Sequence, residues 1–390
     1  MRSAVIFISL PACLFLITAC SAIVEKPVPG AERSEIYKPL LSGKRVAVVA
    51  NQTSMAGKIH LVDKMKLEGI DLKVIFAPEH GFRELAQAGE EIPDGIDPST
   101  GIPVVSLYGS HFEPTADDLK GIDVVVFDIQ DVGVRFYTYI STLHYLLEAC
   151  AENGVKCIVF DRPNPNGFYT DGNIADTIYR SFVGLDPVPV VHGMTTGEYA
   201  GMLNGEGWLK NGERCDLTVV RCLNYSHDTK YVLPVRPSPN LPNQVSVYLY
   251  PSLCFFEGTN VSVGRGTDFP FQVFGSPLLP DRGFSFIPRS VPEAIDPPFK
   301  GEKCFGTDLR NSIKDKLIPA LRINLDWLIS AYNDYPVKEK FFNSYFDVLA
   351  SGPVLREQIM KGMSADDIMA SWKEGLERFG KIREKYLLYK

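Results

Sequence analysis

A two-domain α/β protein, its first domain built on a parallel sheet, is predicted by three features of this 390-residue sequence. Short apolar runs alternate with amphipathic stretches from Lys44 onward. The runs are apolar throughout, not at every second residue, as in strands covered on both faces. A proline-rich stretch, Pro234 to Pro242 (PVRPSPNLP), then breaks the pattern. The length suits two domains of roughly 100–200 residues each, and 45% hydrophobic content is ample for their cores.

The first predicted strand is Arg45 to Ala50 (RVAVVA). Ile59 to Leu67 has helical periodicity and stops near Gly69. Strands follow at Leu72 to Ala77, Pro103 to Leu107 and Asp123 to Phe127. Tyr139 to Asn153 is an amphipathic helix with Gly154 as its stop. Lys156 to Phe160 is the next strand. Thr195-Thr196-Gly197-Glu198 is a capping box opening a helix through Leu203, and Asp216 to Arg221 is a last strand. This is a Rossmann-like arrangement in the broad sense, without the nucleotide fingerprint. The first strand runs into Asn51-Gln52-Thr53-Ser54, not G-x-G-x-x-G. Gly264-Arg265-Gly266 is a lone glycine pair, and no Walker A is present, so neither nucleotide nor cofactor is expected. Beyond Pro242 the pattern predicts a strand near Phe284 to Ile287. It also predicts a helix Leu325 to Asn333 capped by Asn324, and a long helix Ser364 to Tyr386. Residues 41–238 are assigned to the sheet domain and 239–390 to a smaller α/β domain.

At the N-terminus Arg2 precedes an apolar run, Ala4 to Ile17, that ends in small residues. This reads as a signal peptide over residues 1–19. Ile17-Thr18-Ala19-Cys20 resembles a bacterial lipobox, which predicts lipidation of Cys20 and a cell-envelope lipoprotein on the periplasmic or cell-surface side. Residues 20–40, rich in proline between Glu25 and Glu35, read as a tether. The six remaining cysteines match no zinc spacing. With 40 basic against 47 acidic residues and net charge −7, and no long basic run, nucleic acid is not an expected partner.

Ligands of open parallel sheets bind outside the carboxyl ends of the strands, and here each strand ends in polar residues. The first offers Asn51 and Gln52, the second Glu79 and His80. The Asp123 to Phe127 strand offers Asp128, Gln130 and Asp131, then Arg135 and Tyr137. The Lys156 to Phe160 strand offers Asp161, Arg162 and Asn164. A hard cation on Asp128 and Asp131 is only weakly supported, and no metal is assigned. No G-x-S-x-G elbow marks a serine nucleophile. His144, within a helix, is expected to be structural. In the second half, Cys254 to Gly275 combines aromatics with Glu257, Asn260, Arg265 and Asp268. Ring faces for stacking beside polar groups for hydroxyls are what a sugar site needs.

APEHGFR (77–83), FDIQDVGVRFYTYISTL (127–143), DRPNPNG (161–167), HGMTTGE (192–198), PSPNLP (237–242) and CFFEGTNVSVGRGTDFPF (254–271) resemble the NamZ-type exo-β-N-acetylmuramidases, formerly a domain of unknown function. The resemblance runs from about Arg45 to the C-terminus. It implies a cleft between the two domains and release of N-acetylmuramic acid from the non-reducing end of peptidoglycan fragments such as MurNAc-GlcNAc. It makes Glu79 the candidate catalytic residue. Glycoside hydrolysis usually takes two carboxyl groups. Glu79 is expected to be the general acid, with His80 orienting the site. Asp128 is preferred as the second carboxylate over Asp131 and Glu257, and assistance by the sugar's 2-acetamido group is an alternative. A guanidinium is expected on the lactyl carboxylate of muramic acid, from Arg135, Arg162 or Arg265. Asn51, Gln52, Asp131, Tyr137, Asn164 and Glu257 complete the expected substrate contacts. The rival readings are a lipid-anchored solute-binding protein without catalysis and a metal-assisted envelope hydrolase.

Overall fold

The computed structural model describes residues 25–83, 93–109, 111–312 and 322–389. The expected signal peptide and Cys20 lie outside the described residues. Seven strands form the central sheet in the order Leu217–Val220, Lys156–Phe160, Val124–Asp128, Arg45–Ala50, Asp71–Ala77, Pro103–Ser106 and Gly95–Ile96. Every pairing in it is parallel except that of the edge strand Gly95–Ile96. The parallel strands therefore run in the order of a Rossmann-type doubly wound sheet, with the switch point between Arg45–Ala50 and Val124–Asp128.

The unbroken apolar runs are explained by two covered faces. Val46, Val48, Ala50, Ile75 and Val126 pack with Tyr37, Leu41, Val62 and Met65, from helices Ser34–Leu41 and Leu61–Leu67, on one face. Ala47, Val49, Phe76, Val125 and Phe127 pack with residues of helices Tyr139–Asn153 and Thr196–Glu206 on the other. Gly154 ends the first of these helices in the left-handed conformation, φ 64°, where a glycine carries no Cβ penalty. Thr195 and Glu198 close the expected capping box on the second. The predicted helix at Ile59 begins two residues later, because Ile59–His60 first pairs with Met55–Ala56 as a hairpin.

Part of the expected tether is built into the sheet domain. Val28 bridges to Leu223, and Gly30 donates its N–H to Asp161 O at 2.8 Å. A Cβ on Gly30 would meet Val220 O at 2.3 Å. Within the stretch, Ala31 and Tyr37 are buried core residues. Their apolar side chains stabilise by burial what proline content alone reads as linker.

The second unit begins with helix Gln244–Leu253, whose cap is Asn243. It continues through an antiparallel sheet ordered Val273–Ser276, Cys304–Asp308, Ser285–Phe286. Helices Asp326–Asp334, Tyr345–Leu349, Val354–Met360 and Ala365–Arg383 complete it. Phe255, Phe256, Phe341, Phe346 and Trp372 belong to the same apolar cluster as Phe76 and Phe127 of the central sheet. The chain end then returns to the first unit. Tyr389 Oη donates to Asp161 Oδ2 at 2.6 Å, and Leu388 N–H to Glu198 Oε1 at 2.8 Å. Among the described residues no helix is long and apolar enough to cross a membrane.

Candidate active site

The crevice at the switch point is filled by protein. Asp128, at the end of its strand, is fully buried and forms a two-pronged ion pair with Arg162, at 2.7 and 2.8 Å. The loop after Arg45–Ala50 folds over it. Thr53 N–H donates to Asn51 Oδ1, His60 Nε2 meets Asn51 O, and Gln130 N–H donates to Thr53 Oγ1.

The open cavity, about 380 Å³, lies beside that plug, where Asp71–Ala77 ends against the second unit. Pro78 stops the strand, and Gly81 N–H closes a turn onto Pro78 O at 3.0 Å. His80 holds φ 72° in this turn. A non-glycine residue there is strained by about 1 kcal/mol, and such strain gathers at functional sites. The turn brings Glu79 and His80 to the cavity wall. Arg83 holds the segment from behind by bonding Asp63 at 2.6 and 2.9 Å and Asp97 at 2.9 Å. Its role is to brace the turn.

Hydroxyls are among the donors around Glu79. Thr138 precedes helix Tyr139–Asn153 but makes no capping bond with its side chain. Its hydroxyl instead donates to Glu79 Oε2 at 2.9 Å, and Tyr139 Oη lies 3.3 Å from Glu79 O. The positive end of that helix faces the carboxylate, which favours negative charge there. Burial first, and the Glu79 carboxylate second, push the Tyr108 and Tyr139 phenols above the ordinary tyrosine range. Tyr137 donates to Pro237 O at 2.6 Å and meets Tyr139 edge-on, with ring centres 4.9 Å apart. Tyr250 and Phe271 continue the aromatic wall, 5.0 Å apart.

Across the cavity stand Glu257 and Arg265, joined Oε1 to Nε at 2.5 Å. Tyr345 is at the rim. Burial, then Cys254, Glu257 and Glu79, push its phenol up, so both carboxylates act on one space.

Of the nominated residues, Glu79, His80, Tyr137, Glu257 and Arg265 line this cavity together. The others stand behind it, and their assigned roles are corrected. Asp128 is bound by Arg162 and is not the second carboxylate of the cavity. Arg162 is spent on Asp128 and Met55 O. Arg135 is buried and donates to Asn173 O, Val188 O and Leu349 O, so it clamps three segments and does not line the cavity. Asn164 donates to Met194 O and accepts from Asn166 N–H. Asp131 Oδ2 accepts from Gly133 N–H at 2.5 Å. Its charge reaches Tyr137 and Tyr139 from behind. Asn51 is held in its own turn, and Gln52 donates to the Pro237 carbonyl that Tyr137 also uses. Thr138, Tyr108, Tyr345 and Asn240 line or flank the cavity without having been nominated. Thr138 and Asn240 sit inside quoted motifs. Nothing local marks Tyr108 or Tyr345.

A family model described as exo-beta-N-acetylmuramidase NamZ, N-terminal, matches residues 46–245. Its C-terminal counterpart matches residues 248–389. A peptidoglycan beta-N-acetylmuramidase NamZ from Bacillus subtilis (strain 168) is 39% identical over 374 residues, covering 90% of this chain and 89% of its own. Two crystal structures of DUF1343 family proteins from Bacteroides fragilis NCTC 9343 share the fold. One superposes with a TM-score of 0.86 at 46% identity, over 94% of this chain and 99% of that one. The other has a TM-score of 0.78 at 30% identity, over 93% and 99%.

Proposed function

The chain belongs to the exo-β-N-acetylmuramidase family NamZ, and from that premise we infer that Glu79 is the acid with which this glycosidase releases N-acetylmuramic acid from the non-reducing end of peptidoglycan fragments. The observation that carries the assignment is the placement of Glu79. It stands on a strained turn at a strand's carboxyl end, in the open cavity, with the Thr138 hydroxyl fixing one oxygen.

The chemistry follows from that geometry. As the bond between C1 and the glycosidic oxygen breaks, its electron pair stays on the oxygen. Glu79 gives that oxygen its proton, and water supplies the hydroxyl that ends on C1 and the remaining proton that restores Glu79. Thr138 and the helix N-terminus hold the carboxylate that remains. The aromatic wall of Tyr137, Tyr250 and Phe271 offers ring faces and edges to the sugar.

The test is Glu79→Gln. Turnover of MurNAc-GlcNAc should fall about 10²–10⁴-fold while binding of free MurNAc persists. A muramide with an activated aryl leaving group, which needs no proton, should lose far less. Full turnover of the natural linkage by the variant would refute the assignment.

We propose in addition that the protein is held at the cell envelope by lipid on Cys20, an address that suits a peptidoglycan substrate. The support is the Ile17-Thr18-Ala19-Cys20 sequence. Cys20→Ser should release the protein from the membrane fraction; unchanged partitioning would refute the anchor.

A further inference from the structure

Gly264-Arg265-Gly266, a glycine pair without an obvious use in the sequence, forms a rigid mount. Gly264 and Gly266 hold φ 81° and 79°. A Cβ on Gly266 would meet Arg289 O at 2.5 Å, and one on Gly264 would meet Val273 Cγ2 at 2.7 Å. Thr267 N–H closes the turn onto Gly264 O at 3.1 Å, and Arg289 N–H binds Gly266 O at 2.9 Å. Both flanking positions thus require glycine, and between them the backbone carries Arg265 at the cavity wall. Its side chain is fixed twice more. Nε donates to Glu257, and the guanidinium lies 5.2 Å from the centre of the Phe271 ring.

Arg265 is the only lysine or arginine among the described residues lining the cavity. Its Nη1 and Nη2 make no hydrogen bond to a described residue. A pre-oriented guanidinium with one edge open fits a carboxylate in two parallel bonds. The cavity also holds Glu79 and Glu257, so without Arg265 an anionic sugar entering it would meet their like charge. N-Acetylmuramic acid differs from N-acetylglucosamine by the carboxylate-bearing lactyl ether on O3. We propose that Arg265 binds this lactyl carboxylate and so selects muramyl over glucosaminyl residues, with Glu257 as the positioning residue that holds the guanidinium. This rests on the muramidase reading above.

The experiment compares wild type, Arg265→Gln, Glu257→Gln and the double variant. The substrates are MurNAc-GlcNAc and an aryl β-N-acetylglucosaminide, which lacks the lactyl group. Arg265→Gln should raise KM for MurNAc-GlcNAc about 100-fold with kcat within about threefold, because the contact lies away from the breaking bond. Its kcat/KM on the glucosaminide should fall far less, so that the ratio of the two substrates collapses. The double variant carries no unpaired carboxylate at this position. It should lose the muramyl preference too, which separates lost recognition from repulsion by Glu257 and guards against misfolding of the single variant. Glu257→Gln should raise KM more than it lowers kcat; a fall in kcat at constant KM would make Glu257 catalytic and overturn its positioning role. If Arg265→Gln and the double variant keep the wild-type preference for muramyl substrate, the selector assignment fails and the muramidase reading stands. If wild type releases no MurNAc, both fall.

Discussion

Two carboxylates on one rim of the sheet, Asp128 and Glu79, have opposite surroundings. Among the described residues, Asp128 meets a buried guanidinium, whereas Glu79 accepts from the Thr138 hydroxyl and faces an open cavity. Asp128→Asn should therefore act on stability. It leaves Arg162 charged and unpaired in the interior, which costs about 3–5 kcal/mol, readable by denaturant unfolding, while kcat of the folded fraction should stay near wild type. The preference for Asp128 over Glu257 failed for a physical reason. Asp128 and Arg162 lie 34 residues apart, and only the pairing of neighbouring strands brings them together. Arg135 misled in the same way, since one of its carbonyl partners is 214 residues away. Glu79 was legible because a proline, a carboxylate, an imidazole and a glycine after an apolar run leave little for it to do in a core. His144, expected to be structural, forms buried ion pairs with Asp186 at 2.8 Å and Glu148 at 3.1 Å. Burial opposes its charge, but these two partners outweigh it and push its pKa up to about 9. The folded state then holds this proton more tightly than the unfolded one, whose histidine titrates near 6.5. The contribution, on the order of 3 kcal/mol, is complete below about pH 6.5 and is lost as pH rises through about 9. Unfolding measured across that window should show the loss, and His144→Gln should flatten it.

At the scale of elements, periodicity and caps carried most of the reading. Tyr139–Asn153 and Lys156–Phe160 stand at their expected bounds because each has a clear period and a clear stop. The hairpin Met55–Ala56 with Ile59–His60 was missed because two-residue strands have no period to read. Part of the stretch read as tether, residues 20–40, is packed, because proline content does not reveal that Ala31 and Tyr37 have a core to enter. Turns were the least legible elements. Left-handed φ at His80 is visible only in the folded backbone, and it makes a test of the Pro78–Gly81 turn. His80→Gly removes about 1 kcal/mol of strain but also the ring at the cavity wall. Thermal unfolding should stay level or rise slightly, while kcat/KM should fall at least tenfold, consistent with strain kept for function. The cap at Thr195 gives a contrasting case. Its hydroxyl serves both the helix and Asp161 Oδ2, at 2.7 Å. Thr195→Ala should cost about 2 kcal/mol or somewhat more without a selective effect on turnover.

The molecule as a whole is two units around one continuous apolar cluster, with the cavity between them and the chain end returned to the first. That return concerns a buried carboxylate. Asp161 accepts from Thr195, Thr196, Gly197 and Tyr389. Burial above all, with Glu198 adding to it against these donors, pushes its pKa up to about 6. Tyr389→Phe should cost about 2 kcal/mol, and removal of Tyr389 and Lys390 more, because Asp161 then loses a donor and Cys222 N–H loses its acceptor. Denaturant unfolding of both variants checks this. A cost confined to the second unit, with the first unfolding as before, would contradict the shared core.

The Tyr389 contact also sets a timetable. Tyr389 stands 228 residues after its partner Asp161, which directly follows the strand Lys156–Phe160. Until Tyr389 has been made, the sheet's buried acid waits without one of its donors, and the shared core waits for the helices of the second unit. The sheet domain therefore reaches its final packing only after the second unit has been synthesised.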